Sequence, residues 1–164
     1  MLFDGFMWVM EMTTMSYESF IQNKHFKVEP SGFTYKCEDD APLMDYQKKT
    51  VEWALARGKA AVFLDTGLGK TRIQLEFARA VNEHSCKPFI LLAPLSVGYQ
   101  IHKEAAELGY ETNLIRSDDD VKNCINITNY ENMHNIDFSA FSGIALDESS
   151  ILKSINGRIR SRLI

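Results

Sequence analysis

The sequence is poor in cysteine and proline, and it contains no long apolar run. Its three cysteines, Cys37, Cys86 and Cys124, are odd in number and lack the spacing of metal ligands, which argues against a disulfide framework or a zinc site. Reduced thiols are typical of cytoplasmic proteins, and we expect that localisation. No apolar run approaches the roughly 18 residues of a membrane span, so the sequence predicts no membrane partner.

A strongly basic composition is absent too. The 164 residues include 18 Lys and Arg against 22 Asp and Glu, which gives a net charge of −4. This balance argues against a protein that coats nucleic acid by charge alone, although it is compatible with a local basic groove. The hydrophobic fraction of 45% and the charged fraction of 24% are those of an ordinary globular domain.

The first part of the chain has a less regular pattern than the rest. Five of the seven methionines lie between Met1 and Met15, and Met15 is an alternative first residue of the translated protein. Asp4 and the lack of a basic start argue against a secretory signal. We therefore divide the sequence into a lead-in over residues 1–41 and one domain over residues 42–164.

The stretch from Ala60 to Thr71 organises the rest of the chain. Val62 and Phe63 belong to an apolar run that predicts a short buried strand. A glycine-rich turn then breaks the run, and a helical pattern begins at Lys70. A strand, such a turn and a helix N-terminus together form a phosphate cradle, because the first amides of the helix have no internal partner and point at the anion.

The residue types in the turn suit this chemistry. Gly67 and Gly69 allow left-handed backbone conformations and a close approach to phosphate, since no Cβ intervenes. Lys70 would reach the β- and γ-phosphates, and the Thr71 hydroxyl would hold Mg²⁺. The alternative is a glycine turn that caps a core helix, but a Gly-Lys-Thr preceded by a second glycine is expected by chance in fewer than about one chain in a hundred.

Strand and helix patterns alternate around this loop. A helix that ends near Gly58 precedes it, with Gln47, Val51 and Leu55 on one face at four-residue steps. The later alternation predicts parallel βαβ crossovers and an α/β fold in which helices sandwich a mostly parallel sheet. The expected strands are residues 89–93, 112–115, 124–128 and 141–148, and the expected helices are residues 46–56, 71–82 and 97–108.

Two adjacent carboxylates end the last predicted strand. Asp147 and Glu148 lie at its carboxyl end, where ligands bind in open α/β sheets. Neighbouring strand residues point to opposite sides, so the two acids can have different roles. Asp147 would hold Mg²⁺, directly or through water, and Glu148 would orient and deprotonate the attacking water. The alternative is a pair of surface acids, which the phosphate loop upstream makes less favoured.

Four segments resemble motifs I, Ia, Ib and II of the superfamily 2 helicases, in particular the Swi/Snf-type branch and its phage and bacterial DEAD/DEAH-like relatives. They are residues 66–71, 93–97, 128–131 and 147–150. The resemblance extends over about residues 43–154 and implies a RecA-like P-loop NTPase fold with ATP and Mg²⁺ as cofactors. The chain has Leu64 where the strict loop template has glycine, and Ser149-Ser150 where the family usually has Ala-His.

The resemblance also implies the residues of the site. Those that would bind ATP are Thr66, Gly67, Leu68, Gly69, Lys70, Thr71 and, as a reader of the adenine edge, Gln47. Without the resemblance, Gln47 would be interpreted as a solvated helix residue. The metal would be held by Thr71 and Asp147, and the catalytic residues would be Lys70 and Glu148. Those that would face nucleic acid, DNA rather than RNA, are Pro94, Ser96, Gln100, Thr128, Asn129 and Tyr130.

Superfamily 2 motors have two RecA-like lobes, with ATP in the cleft between them. No motif III follows motif II before Ile164, and in such sheets the motif III strand lies between the phosphate-loop strand and the motif II strand. The resemblance therefore implies a partial ATP-binding domain, incomplete at the C-terminus, that needs a second lobe in cis or in trans and is inactive or slow as an ATP hydrolase by itself. The alternatives are another P-loop ATPase, such as an AAA+ module, or a non-catalytic nucleotide- or DNA-binding module.

Overall fold

The computed structural model describes residues 29–147, which form an α/β unit. The α-helices are α1 (Asp45–Arg57), α2 (Lys70–Ser85) and α3 (Leu95–Glu107). The strands are β1 (Phe89–Leu92), β2 (Thr112–Leu114), β3 (Ile125–Thr128) and β4 (Ile144–Leu146). Short 3-10 turns cover Asp118–Asp120, Asn132–Asn135 and Phe138–Ala140. Within this part of the chain, no helix is long and apolar enough to cross a membrane.

The four strands form one parallel sheet in the order β2-β3-β1-β4. β1 lies inside the sheet, where Leu91 is paired with Ile127 on one side and with Ala145 on the other. All four residues of β1 are buried, as expected for a parallel strand that is covered on both faces. The predicted α/β class and the predicted parallel pairing are therefore confirmed.

The two faces of the sheet are covered differently. Helices α2 and α3 pack on the face that carries Phe89 and Leu91. The opposite face, with Ile90 and Leu92, packs against the irregular connection between β3 and β4, whose buried members include Met133. Within the described residues, 3-10 turns cover this second face, where the sequence predicts helices. The connection is rich in Asn, Asp and Ser, residues whose side chains compete with helical hydrogen bonds.

The helix α1 packs on the outer side of α2 rather than on the sheet. Val51 and Leu55 of α1 form a cluster with Ile73 and Ala80 of α2. The helix ends at Arg57 because Gly58 takes a φ of 74°, a left-handed value that suits glycine. This packing places the start of α1 beside the turn that precedes α2.

The predicted strand around Val62 and Phe63 is not formed. Residues 60–65 are irregular and pair with none of the four strands, and the Phe63 side chain is 90% exposed. A strand needs a neighbour for its main-chain hydrogen bonds. Within residues 29–147 the sheet ends at β4, and no strand lies on the outer edge of β4 to pair with this segment. The apolar pattern is strand-like, but a partner strand for it is not among the described residues.

The buried carboxylate of Glu76 links α2 to two other parts of the chain through hydrogen bonds. Glu76, only 1% exposed, accepts hydrogen bonds from Arg79 Nη2 at 2.7 Å, from Tyr35 Oη at 2.9 Å and from Tyr110 Oη at 2.9 Å. Burial by itself would raise the pKa of Glu76, but these donors outweigh burial and hold the pKa below its usual range. Burial and the neighbouring carboxylate raise the pKa of both tyrosines. The network joins α2 to the segment before α1, at Tyr35, and to the segment before β2, at Tyr110.

Candidate functional site

The glycine-rich turn has the backbone that its sequence predicts. Gly67 has a φ of 84° and Gly69 a φ of 67°, so both occupy the left-handed region. The main chain of Asp65 accepts a hydrogen bond from the N–H of Leu68 at 3.4 Å, and its side chain accepts one from the N–H of Thr66 at 3.0 Å. The turn therefore folds back on Asp65 and leads directly into α2.

The helix α2 begins at Lys70, and its N-terminus faces this turn. Gly69 is the N-cap, which supplies no side chain to the first amides, and no acidic residue lies in the first helical turn. No acceptor among residues 29–147 bonds the main-chain N–H of Lys70 or Thr71. The Lys70 ammonium donates to the main-chain oxygen of Leu64 at 3.1 Å. Unbonded amides and a cation at a helix start are the features that bind anions.

Two residues of α1 hold the turn in place. The hydroxyl of Tyr46 and the side-chain amide of Gln47 both donate to the carbonyl of Leu68, at 3.0 Å and 3.2 Å. The Gln47 oxygen accepts from the N–H of Met44 at 2.9 Å. Gln47 is 2% exposed, so the interpretation as a solvated helix residue is wrong. A Cβ at Gly69 would lie 2.3 Å from its Nε2 atom, which shows how closely α1 approaches the turn. Sequence reasoning missed Tyr46, although the Tyr-Gln pair was the available signal.

Asp147 lies at the carboxyl end of β4 and forms three hydrogen bonds with other parts of the chain. Its N–H donates to the carbonyl of Leu92 at 2.8 Å, and its own carbonyl accepts a hydrogen bond from the hydroxyl of Tyr130. Its carboxylate Oδ1 accepts from Nε2 of Gln74, on the second turn of α2, at 3.3 Å. The start of α2 and the predicted metal ligand are therefore at the same edge of the sheet. Glu148, the predicted general base, lies outside the described residues.

The residues that were expected to face nucleic acid lie along the same edge, on the side of β2 and β3. Pro94 is the N-cap of α3 and lines a cavity of about 410 Å³ together with Thr128 and Asn129. Ser96 and Gln100 are exposed on α3 outside this cavity. The structure thus brings the segments that resemble motifs Ia and Ib together.

Two of these residues are engaged inside the protein. Thr128 is buried and its hydroxyl donates to the carbonyl of Ile115 at 2.9 Å. Tyr130 is buried on the face of the sheet that carries Ile90 and Leu92, and its hydroxyl donates to the main-chain carbonyl of Asp147. The expected contact with nucleic acid is therefore limited to their main-chain atoms, because their side chains are used in packing and positioning.

The cavity also contains residues that sequence reasoning missed. Arg116 and Tyr99 are exposed at its rim, and Asn132 lines it as well. No described residue forms an ion pair or hydrogen bond with the Arg116 guanidinium. Its position directly after the predicted strand 112–115 was the available signal, since strand ends in parallel sheets meet at one edge.

Comparison with protein-family models gave no match for this chain, and comparison with curated protein sequences gave none. A function for the chain is therefore inferred from the geometry of the described residues and from the motifs in its sequence.

Proposed function

We propose that this chain binds ATP with Mg²⁺ and serves as the first RecA-like lobe of a DNA-dependent helicase or translocase. One observation carries the proposal: the left-handed turn at Gly67 and Gly69, the uncapped start of α2 and the carboxylate of Asp147 lie at one edge of a parallel sheet. Phosphate-loop enzymes need a backbone cradle and a metal-holding acid in this relation.

The residues present fit a nucleotide and its metal ion. A Cβ at Gly67 would meet nothing within 4 Å, so the main chain of the turn is open to phosphate at that residue. Lys70 would exchange its bond to Leu64 for the β- and γ-phosphates. Thr71 and Asp147 would hold Mg²⁺, which neutralises charge on the phosphates when it is bound. Glu148, next in sequence, would orient and deprotonate the attacking water.

Gln47 has the chemistry that a contact with the base requires, and we propose that it makes this contact. Its amide lies against the turn, where it donates to Leu68. A glutamine amide presents a donor and an acceptor together, as the adenine edge requires. We expect its Nε2 or Oε1 to exchange a protein partner for the base when the nucleotide binds.

Two features support an additional strand beside this unit. They are the open edge of β4 and the unpaired segment 60–65. Within residues 29–147, β4 pairs only with β1, while Phe63 stands almost fully exposed in an apolar stretch. An added strand between the two would satisfy main-chain groups on both sides. Such a strand, and a second RecA-like lobe in cis or in trans, are the partners that we propose besides DNA.

The test is the affinity of the full chain for a non-hydrolysable ATP analogue in the presence of Mg²⁺, measured by calorimetry. Lys70→Ala should abolish binding and leave the circular dichroism spectrum unchanged, because the ammonium makes one main-chain contact in the fold. Lys49→Ala, an exposed lysine on α1, is the matched control and should bind normally. Equal affinity of the Lys70→Ala variant and the unmodified chain would contradict the proposal.

A further inference from the structure

Gln74 has an unusual position between the phosphate loop and Asp147. Its Nε2 donates to Oδ1 of Asp147 at 3.3 Å, across 73 residues of sequence. The opposite atom of the amide, Oε1, is buried and is the one buried side-chain nitrogen or oxygen without a hydrogen-bond partner in the described part of the chain. The orientation of the amide follows from chemistry, because an ionised carboxylate only accepts hydrogen bonds and so faces the NH₂ group.

Packing alone does not account for a glutamine at this site. Its neighbours on α2 are buried apolar side chains: Ile73 packs against α1, and Leu75 packs against the sheet. Methionine or leucine would fill a similar volume without burying an unpaired oxygen, which is unfavourable. The unpaired oxygen is therefore an acceptor that no described protein group uses and that a donor near Asp147 would satisfy.

We propose that Gln74 is a positioning residue for the divalent cation. Its N–H group fixes Oδ1 of Asp147 and leaves Oδ2 available to the metal, while its Oε1 accepts a hydrogen bond from a water molecule of the hydrated ion. Mg²⁺ keeps several of its waters when it binds to proteins, and those waters need acceptors. Partners behind a metal ligand orient it in many metal sites. This inference rests on the proposed function, since it requires a metal–nucleotide at the loop.

The rest of Asp147 is already fixed, which makes Gln74 decisive for its side chain. The main chain of Asp147 is bonded at its N–H to Leu92 and at its carbonyl to Tyr130. Rotation of the side chain is the freedom that remains, and the bond from Gln74 removes it. The cation would then bind a carboxylate that is already oriented, so binding costs no further side-chain conformational entropy.

The experiment compares Gln74→Met with the unmodified chain. Methionine keeps the length of the side chain but removes both the donor and the acceptor. The affinity for a non-hydrolysable ATP analogue is measured by calorimetry in Mg²⁺ and, separately, in EDTA. We expect the gain in affinity that Mg²⁺ provides to fall about 10-fold or more in the variant, with the affinity in EDTA unchanged.

Two further variants complete the design. Asn82→Leu removes a side-chain amide near the other end of α2, where it bonds the carbonyl of Lys87, and should leave the affinity unchanged in both media. Gln74→Asn keeps a polar amide but shortens the side chain by one methylene group. It should show the same loss of metal dependence as Gln74→Met, and it replaces that variant if Gln74→Met does not fold.

The outcomes separate this inference from the proposed function. An unmodified chain that binds no nucleotide would overturn both. A chain that binds nucleotide with Mg²⁺, together with a Gln74→Met variant that keeps the full gain from Mg²⁺, would overturn the role of Gln74 alone. An equal fall of the variant's affinity in Mg²⁺ and in EDTA would also overturn it, because that result identifies a purely structural contact.

Discussion

The hydroxyl of Tyr130 donates a hydrogen bond to the main-chain carbonyl of Asp147, which joins two segments that follow different strands. Tyr130 lies just after β3 and Asp147 just after β4, and β1 separates these strands in the sheet. The bond therefore spans the carboxyl edge of β1. It links the turn that lines the 410 Å³ cavity, through Asn129, to the acid that would hold the cation. The proposed nucleic-acid and nucleotide regions are thus in direct physical contact.

The two glycines of the turn should differ in their tolerance of alanine. Gly69→Ala places a Cβ 2.3 Å from Nε2 of Gln47, whereas a Cβ at Gly67 meets nothing within 4 Å. Both substitutions oppose a left-handed backbone, which costs about 1–2 kcal/mol. We expect the free energy of unfolding in urea to fall by about that amount for Gly67→Ala and by more for Gly69→Ala. Equal losses in the free energy of unfolding would show that the Gln47 side chain can move away from the added Cβ without a measurable loss of stability.

Arg116 should contribute to the affinity for single-stranded DNA through phosphate contact. Its guanidinium is exposed at the cavity and has no partner among the described residues. Arg116→Ala should weaken binding and reduce the slope of log affinity against log salt by about 0.7, the value for one contact with a single strand. Arg57→Ala, at the exposed end of α1, is the control.

The measurement for Arg116 is fluorescence anisotropy with two strands of unrelated sequence. Phosphate contacts carry no sequence information, so both strands should bind equally and lose affinity alike in the variant. Strong preference of the unmodified chain for one strand would contradict this prediction.

Glu76 should make the stability of the fold sensitive to acid. Its pKa in the folded state lies below the ordinary value of 4.5, so its contribution to stability is complete above that pH and is lost as the pH falls through the folded-state pKa. Glu76→Gln should lower the free energy of unfolding by about 3 kcal/mol at neutral pH, because it breaks a buried ion pair with Arg79. The loss should shrink at acid pH, where the carboxylate of the unmodified chain is protonated.

Glu83→Gln is the matched control for Glu76, since Glu83 pairs with the same Arg79 at 2.8 Å but is exposed. An exposed pair contributes less than about 1 kcal/mol. Urea unfolding at several pH values compares the two variants. A loss of equal size for both would contradict the central role of the buried carboxylate.

The cysteines should differ in their reactivity in the folded protein. Cys86 is exposed, whereas Cys37 and Cys124 are buried. Burial raises the pKa of Cys37 to about 11 and also raises that of Cys124, so neither forms much thiolate at neutral pH. Mass spectrometry after maleimide treatment should find one label on the native chain and three after unfolding. A second label on the native chain would mean that one of the buried regions opens.

The local elements of this fold were accessible to sequence reasoning because each is encoded within a few residues. The apolar run at Phe89 and the four-residue steps of Gln47, Val51 and Leu55 predict a buried strand and a helix face, and both are present. The left-handed turn followed from Gly67 and Gly69. Partners could not be predicted in the same way. Whether a strand-like segment such as residues 60–65 joins a sheet depends on a neighbour that local pattern does not specify.

The sequence by itself determined the left-handed glycine turn and the parallel strands, since glycine conformation and hydrophobic period are properties of short segments. Only the tertiary structure decided which side chains serve the site and which serve the fold. It turned Thr128 and Tyr130 inward, and it placed Gln74 against Asp147. These contacts join residues that are 13 to 73 positions apart in the chain, and the packing of α2 and the connections on the sheet sets them. Distance in space, unlike spacing in sequence, is fixed only when the whole core forms.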